Sequence, residues 1–138
     1  MSFPARRRVV VVDDNVRDIE LFTTACELGG IEVDIASFTD GRAAIDDLRQ
    51  RVLKPSSALP DTIVLDLNMP GATGFDVLQF IRSLDALRGL RVYILTTSSS
   101  PKDRERCQAM GCDGYLVKPP SFSAFVDLLK TVLAGAQA

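Results

Sequence analysis

The sequence contains no histidine and no tryptophan, and its three cysteines, Cys26, Cys107 and Cys112, form no C-x-x-C pair. Without histidine the usual general base is missing, which removes hydrolase schemes built on Ser/His or Cys/His. The usual second ligand type of zinc is missing for the same reason, so a zinc site is not expected. An odd cysteine count with no recognisable signal peptide reads as reduced thiols, and a cytoplasmic location is expected. No apolar run approaches the ~20 residues needed to cross a bilayer, so no membrane partner is expected. Excess charge of either sign is also lacking. The net charge of −2 offers no broad surface for nucleic acid or anionic lipid. One basic run, Arg6-Arg7-Arg8, stands just before an apolar segment and reads as the solvated entry to a strand.

What is present is an ordinary globular composition, with 46% apolar and 25% charged residues in 138. That length fits one domain, here residues 1–138 with a core over about 7–133, burying roughly two-thirds of the unfolded chain's surface. Short apolar, β-branched runs recur along it: Val9 to Val12, Val33 to Ala36, Ile63 to Leu65, Val92 to Leu95 and Tyr115 to Val117. Apolar residues at consecutive positions suit strands covered on both faces.

Helical spacing fills the intervals. Val16, Ile19, Phe22 and Cys26 mark a first helix stopped by Gly29-Gly30, Ala44, Leu48 and Val52 a second, and Val77, Ile81 and Leu84 a third. Ser100-Pro101-Lys102-Asp103 opens a fourth with an N-cap, a proline at the first helical position and a capping-box acid, and it ends near Gly111. A fifth runs from about Ser121 to Leu133 with Phe122, Phe125, Leu129 and Val132. Five β-α units with short connections predict an α/β fold, a doubly wound five-stranded parallel sheet with five helices on its two faces. The long connector from Leu53 to Asp61, with Pro55 and Pro60, reads as a surface excursion. No output domain is expected beyond the last helix.

Open parallel sheets bind ligands beyond the carboxyl ends of their strands. At those ends stand Asp13 and Asp14, then Asp66, Thr96 and Lys118. Each has a plain alternative: the Asp pair as helix caps, Asp66 as a solvated loop acid, Thr96 as a strand terminator and Lys118 as an exposed cation. Four such coincidences at one sheet edge are improbable together. Three acids in one cleft raise one another's pKa, and a hard divalent cation with oxygen ligands relieves that conflict.

Taken with their neighbours, these residues resemble the receiver domains of two-component response regulators, the chemotaxis regulator among them. The resemblance covers about Arg7 to Leu133. It rests on Val-Val-Asp13-Asp14-Asn, on Leu-Asp66-Leu-Asn68-Met-Pro70 followed by Gly74-Phe-Asp, on Leu-Thr96-Thr97 and on Tyr115-Leu-Val-Lys118-Pro119. It implies a flavodoxin-like sheet of strand order 2-1-3-4-5. It also implies a stand-alone regulator that takes a phosphoryl group onto Asp66 from a sensor histidine kinase or histidine phosphotransfer protein. Mg2+ is the implied cofactor, held by Asp14 directly, Asp13 through water, Asp66, and the backbone carbonyl of Asn68. Lys118 and Thr96 would meet the phosphoryl oxygens, and Tyr115 would be the switch aromatic that follows Thr96. Such a protein is not a turnover enzyme; it catalyses only its own phosphoryl transfer and autodephosphorylation. Thr97 departs from the alanine of many members, and Asn68 and Ser98 stand where members vary dephosphorylation rate. The long connector and the Leu-Asp-Leu-Asn-Met-Pro wording look like the single-domain regulators associated with phytochrome-type kinases.

Two other classes fit less well. A haloacid-dehalogenase phosphatase needs Asp-x-Asp on the first strand, whereas Asp66-Leu67-Asn68 lies on the third with an amide as its second member. A flavodoxin-like FMN carrier needs a Ser/Thr/Gly-rich phosphate loop where Asp13-Asp14 stands. A receiver relic is a third alternative, but every motif position is filled. The output surface is expected on the fourth helix, fifth strand and fifth helix. There the edge of the last helix carrying Phe122, Val126 and Leu133 is expected to stay uncovered and to support a homodimer or partner contact.

Overall fold

The computed structural model describes residues 6–54 and 59–134. Strands β1 (Arg7–Val12), β2 (Val33–Phe38), β3 (Thr62–Leu65), β4 (Arg91–Thr96) and β5 (Gly114–Val117) form one parallel sheet in the order β2-β1-β3-β4-β5. Between and after them lie α1 (Val16–Leu28), α2 (Gly41–Leu53), α3 (Gly74–Ser83), α4 (Pro101–Ala109) and α5 (Phe122–Leu129). The expected architecture is the one observed. Residues 55–58 of the connector, Pro55 included, and residues 135–138 after the last helix lie outside the described residues.

The central strands read as unbroken apolar runs because both their faces are covered. All of Val9 to Val12 and of Ile63 to Leu65 is buried. Side chains alternate between two cores. Val10, Val12, Ile63, Leu65, Val92 and Ile94 meet Ala44, Leu48, Val77, Leu78, Ile81 and Cys107 of α2, α3 and α4. On the other face Val9, Val11, Val64 and Leu95 meet Ile19, Phe22, Cys26, Leu129 and Leu133 from α1 and the C-terminal helix. Edge strand β2 is half exposed.

Helix ends follow local chemistry. Asn15, Asp40, Thr73, Ser100 and Ser121 each accept a bond from a backbone N–H of the first turn. Gly30 takes the left-handed φ of +66° that stops the chain after α1. At α4 the expected capping box does not close. Asp103 donates its N–H to Ser100 Oγ (3.4 Å), but its carboxylate accepts from Ser98 Oγ (2.9 Å), which itself accepts from Ser100 N–H (3.3 Å). The Ser98 hydroxyl has been inserted into the box. Two apolar positions also differ from expectation: Val16 is exposed at the start of α1, and Leu84 is the extended residue after α3.

The last helix differs most. After α5 the chain widens into a π-helical turn over Lys130–Ala134, and Leu133 is fully buried at 0% exposure. The extra residue per turn rotates Leu133 back beneath the helix. The predicted uncovered edge of Phe122, Val126 and Leu133 therefore loses Leu133, while Phe122 stays exposed and Val126 is half-buried. Phe122, 38% exposed, opens instead on a groove of about 300 Å³ between α1 and α5, floored by Phe22 and Phe125. No helix among the described residues is long and apolar enough to cross a membrane.

Candidate functional site

Parallel register brings the strand ends together. Val12 pairs with Leu65, Leu65 with Ile94, and Thr96 with Val117. The next residues extend these ladders by one bond each. Asp13 N–H donates to Phe38 O (3.1 Å), Asp66 N–H to Val12 O (3.0 Å) and Lys118 N–H to Thr96 O (2.8 Å). Winding reverses between β1 and β3, so the adjoining helices leave to opposite faces and a crevice opens where Asp13 and Asp66 emerge.

A carboxylate oxygen from each of Asp13, Asp14 and Asp66 falls within 4.8 Å of the others. Asp13 is buried, Asp66 half-buried and Asp14 exposed. Neither Asp13 nor Asp14 caps α1, because Asn15 does that, so the cap reading of the pair fails. Burial raises the Asp66 carboxyl above the usual aspartate range. Lys118 lowers it, Asp13 and Asp14 raise it further, and the backbone N–H of Asn68 lowers it. The Asn68 side chain is exposed. Three clustered oxygen donors suit a hard divalent cation, which neutralises the repulsion that one ammonium leaves in place.

Lys118 Nζ sits in a fork, donating to Asp13 Oδ2 at 2.9 Å and Asp18 Oδ2 at 3.0 Å. Burial alone lowers its pKa, but the bonds to Asp13 and Asp18 outweigh burial and hold it above the usual lysine value. Asp18 is a site residue that the sequence reading passed over. A lone acid in the first turn of a helix reads as a complement to the macrodipole, and only the tertiary fold brings Lys118 to it.

Thr96 is fully buried at the end of β4, and its Oγ accepts from Ser98 N–H at 3.2 Å. Ser98 is a junction: its hydroxyl binds Asp103 of α4, and its carbonyl accepts from the Tyr115 hydroxyl at 2.8 Å. Tyr115 is buried, with the Arg104 guanidinium 4.7 Å from its ring centroid. Thr96, Tyr115 and the first turn of α4 are thus joined through one serine. Gly74 is the other residue whose part emerges only in three dimensions. It opens α3 so close to Asp66 that a Cβ there would meet Asp66 O at 2.5 Å.

A five-stranded doubly wound sheet with clustered acids, a hydroxyl and an ammonium at its switch point defines a phosphoryl-accepting signalling module. Residues 9–130 match the response regulator receiver domain. The chain belongs to this family, as a two-component response regulator rather than a turnover enzyme. Over 130 residues it is 29% identical to the polar-differentiation response regulator DivK of Brucella anthropi, covering 94% of this chain and 98% of that one. The crystal structure of the phosphorylated cyanobacterial phytochrome response regulator RcpA superposes with a TM-score of 0.83 at 27% identity, covering 96% of each chain. The Mn2+-bound form of response regulator Rcp1 gives a TM-score of 0.81 at 27% identity, covering 92% of this chain and 94% of that one. The resemblance to phytochrome-associated regulators noted in the sequence thus extends to structure. Receivers bind a divalent metal and accept phosphoryl groups from kinases or phosphotransfer proteins, which is the chemistry the acidic cluster fits.

Proposed function

We propose that Asp66 is the phosphoacceptor of this receiver, with Mg2+ as its cation. The observation that carries the reading is the convergence of the Asp13, Asp14 and Asp66 carboxylates within 4.8 Å, beside Lys118. Asp13, Asp14, Asp66 and the Asn68 carbonyl would hold the metal, which supplies positive charge against the phosphoryl oxygens. An Asp66 carboxylate oxygen attacks phosphorus, the P–O bond forms as the P–N bond to the donor histidine breaks, and the imidazole nitrogen leaves with the bonding pair and takes a proton. Phosphoryl transfer asks for little more than an oxygen nucleophile, in-line placement and fixed positive charge. Lys118 pairs with one phosphoryl oxygen and the Thr96 hydroxyl donates to another.

The same reading gives the switch. Thr96 moves toward the new phosphoryl group and draws Ser98 with it. That changes the anchor of the Tyr115 hydroxyl and of Asp103 in α4, a local charge event with a distant readout. The donor is a sensor histidine kinase or histidine phosphotransfer protein, the setting is the cytoplasm, and nucleic acid is not a partner. Autodephosphorylation returns the chain to rest. A homodimer through α4, β5 and α5 remains part of the reading, now without Leu133 in its apolar edge. Lys102, Arg104, Glu105 and Arg106 are exposed there, so a contact between copies is built on charge and weakens with salt. Sedimentation with and without beryllofluoride at low and high salt tests it.

Acetyl phosphate with Mg2+ should add one acid-stable, base-labile phosphoryl group, and Asp66→Asn should abolish it. Undiminished labelling of the Asn variant would contradict the assignment. Asp14→Ala should weaken Mg2+ binding while the fold persists, because repulsion in the cluster is relieved.

A further inference from the structure

We propose that Asp18 is a positioning residue that holds the Lys118 ammonium in a fork with Asp13 and yields it when the phosphoryl group forms on Asp66. This rests on the reading of Asp66 as phosphoacceptor. Among the described residues the ion pairs of Lys118 are with Asp13 and Asp18, and its influence on Asp66 is exerted across space. The resting ammonium is thus aimed at α1 and the end of β1 rather than at the nucleophile.

The two counter-ions are not equivalent. Asp13 belongs to the acidic cluster and has a 7% exposed side chain; Asp18 lies outside the cluster and is 32% exposed. A cation in the cluster draws on the Asp13 charge, whereas among the described residues Asp18 pairs with Lys118 alone. With metal bound, the hold on Lys118 therefore falls mainly to Asp18. Pro119 restricts the backbone of Lys118 to extended conformations, so the ammonium moves between fork and phosphoryl group by side-chain rotation. Lys118 has three N–H donors and the fork uses two. Transfer to a dianionic phosphoryl group is downhill, but it requires giving up at least the bond to Asp18. The rival role, an acid complementing the α1 dipole, predicts a loss of stability in Asp18 variants and no change at Lys118.

The test is a 1H–15N correlation of lysine ammonium groups in the full chain, without metal or phosphodonor, with Lys118→Arg used for assignment. Lys54, Lys102 and Lys130 are exposed, so a slowly exchanging ammonium signal is expected from Lys118. Asp18→Asn should broaden or lose that signal, and Asp18→Glu should retain it. Glu20→Gln, which removes the same charge from an exposed site on α1, should leave it unchanged. With acetyl phosphate and Mg2+, Asp18→Asn should then be phosphorylated about fivefold faster than Glu20→Gln, the scale of a half-exposed ion pair. An ammonium signal in Asp18→Asn equal to that of Glu20→Gln, or equal phosphorylation rates, would overturn the proposal. A wild type that takes no phosphoryl group on Asp66 overturns the phosphoacceptor reading and the release step with it. The ammonium spectrum, recorded without donor, still judges the fork.

Discussion

Gly74→Ala should displace the nucleophile by pressing on its backbone. The added Cβ would stand 2.5 Å from Asp66 O, 3.0 Å from Leu67 Cα and 3.1 Å from Asp66 C. All three are backbone atoms, so no side chain can swing aside. Reaching ordinary contact at 3.4 Å requires the Asp66 carbonyl or the start of α3 to move 0.9 Å, the difference between 3.4 and 2.5. Asp66 resists from the other side through its N–H bond to Val12 O, and Gly74 is tied by its own N–H to Leu67 O at 3.2 Å. Overpacking of this kind costs about 1–3 kcal/mol, and the better helix propensity of alanine offsets up to ~1 kcal/mol. A net ~1–2 kcal/mol lowers Tm by about 3–6 °C for a chain of this size. A shift approaching 1 Å at the attacking carboxylate slows phosphorylation by roughly ten- to a hundredfold. Calorimetry and acetyl-phosphate labelling measure both effects. Gly89→Ala is the control: nothing lies within 4 Å of its Cβ, and its Tm and labelling should match wild type or exceed it slightly. Wild-type Tm and labelling in Gly74→Ala would refute the close approach.

Further outcomes follow from the same structure. Leu133→Ala should cost about 2–5 kcal/mol in urea unfolding, as a buried leucine does; a loss below ~0.5 kcal/mol would restore the exposed-edge reading of the last helix. Tyr115→Phe removes the donor to Ser98 O and should cost about 1 kcal/mol, with faster amide exchange at the start of α4; unchanged exchange there would break the proposed link from Thr96 to α4. Burial pushes the Cys107 thiol up to about 12 and that of Cys26 up to about 11, from 9.0. The folded chain then holds these protons more tightly than the unfolded one, so their contribution to stability is complete below pH 9 and is lost as pH rises toward 11–12. Stability should therefore fall less steeply over that range in Cys107→Ala than in wild type, and equal slopes would contradict the shift.

The strands were legible because both faces of the sheet are covered, which writes Val9 to Val12 and Ile63 to Leu65 as plain apolar runs. The cluster of Asp13, Asp14 and Asp66 was legible for a topological reason: a parallel sheet collects its strand ends at one edge. Features that depend on what lies opposite were not. Asp18 looks like any first-turn acid until β5 delivers Lys118, and Gly74 looks like any helix opener until α3 is packed on Asp66. The spacing of Ser100 and Asp103 predicts a capping box but cannot reveal the Ser98 hydroxyl that enters between them. The uncovered edge expected on the last helix presupposes uniform α geometry, and the π-helical turn after Leu129 moves Leu133 inside.

The most direct measurement is chemical. Wild-type chain, phosphorylated with acetyl phosphate and Mg2+, is reduced with borohydride, which converts an aspartyl phosphate to homoserine, and its peptides are sequenced by mass spectrometry. Homoserine at position 66 and at no other aspartate is the predicted result. Homoserine at Asp13, Asp14 or Asp18 with Asp66 intact would contradict the assignment of the phosphoacceptor.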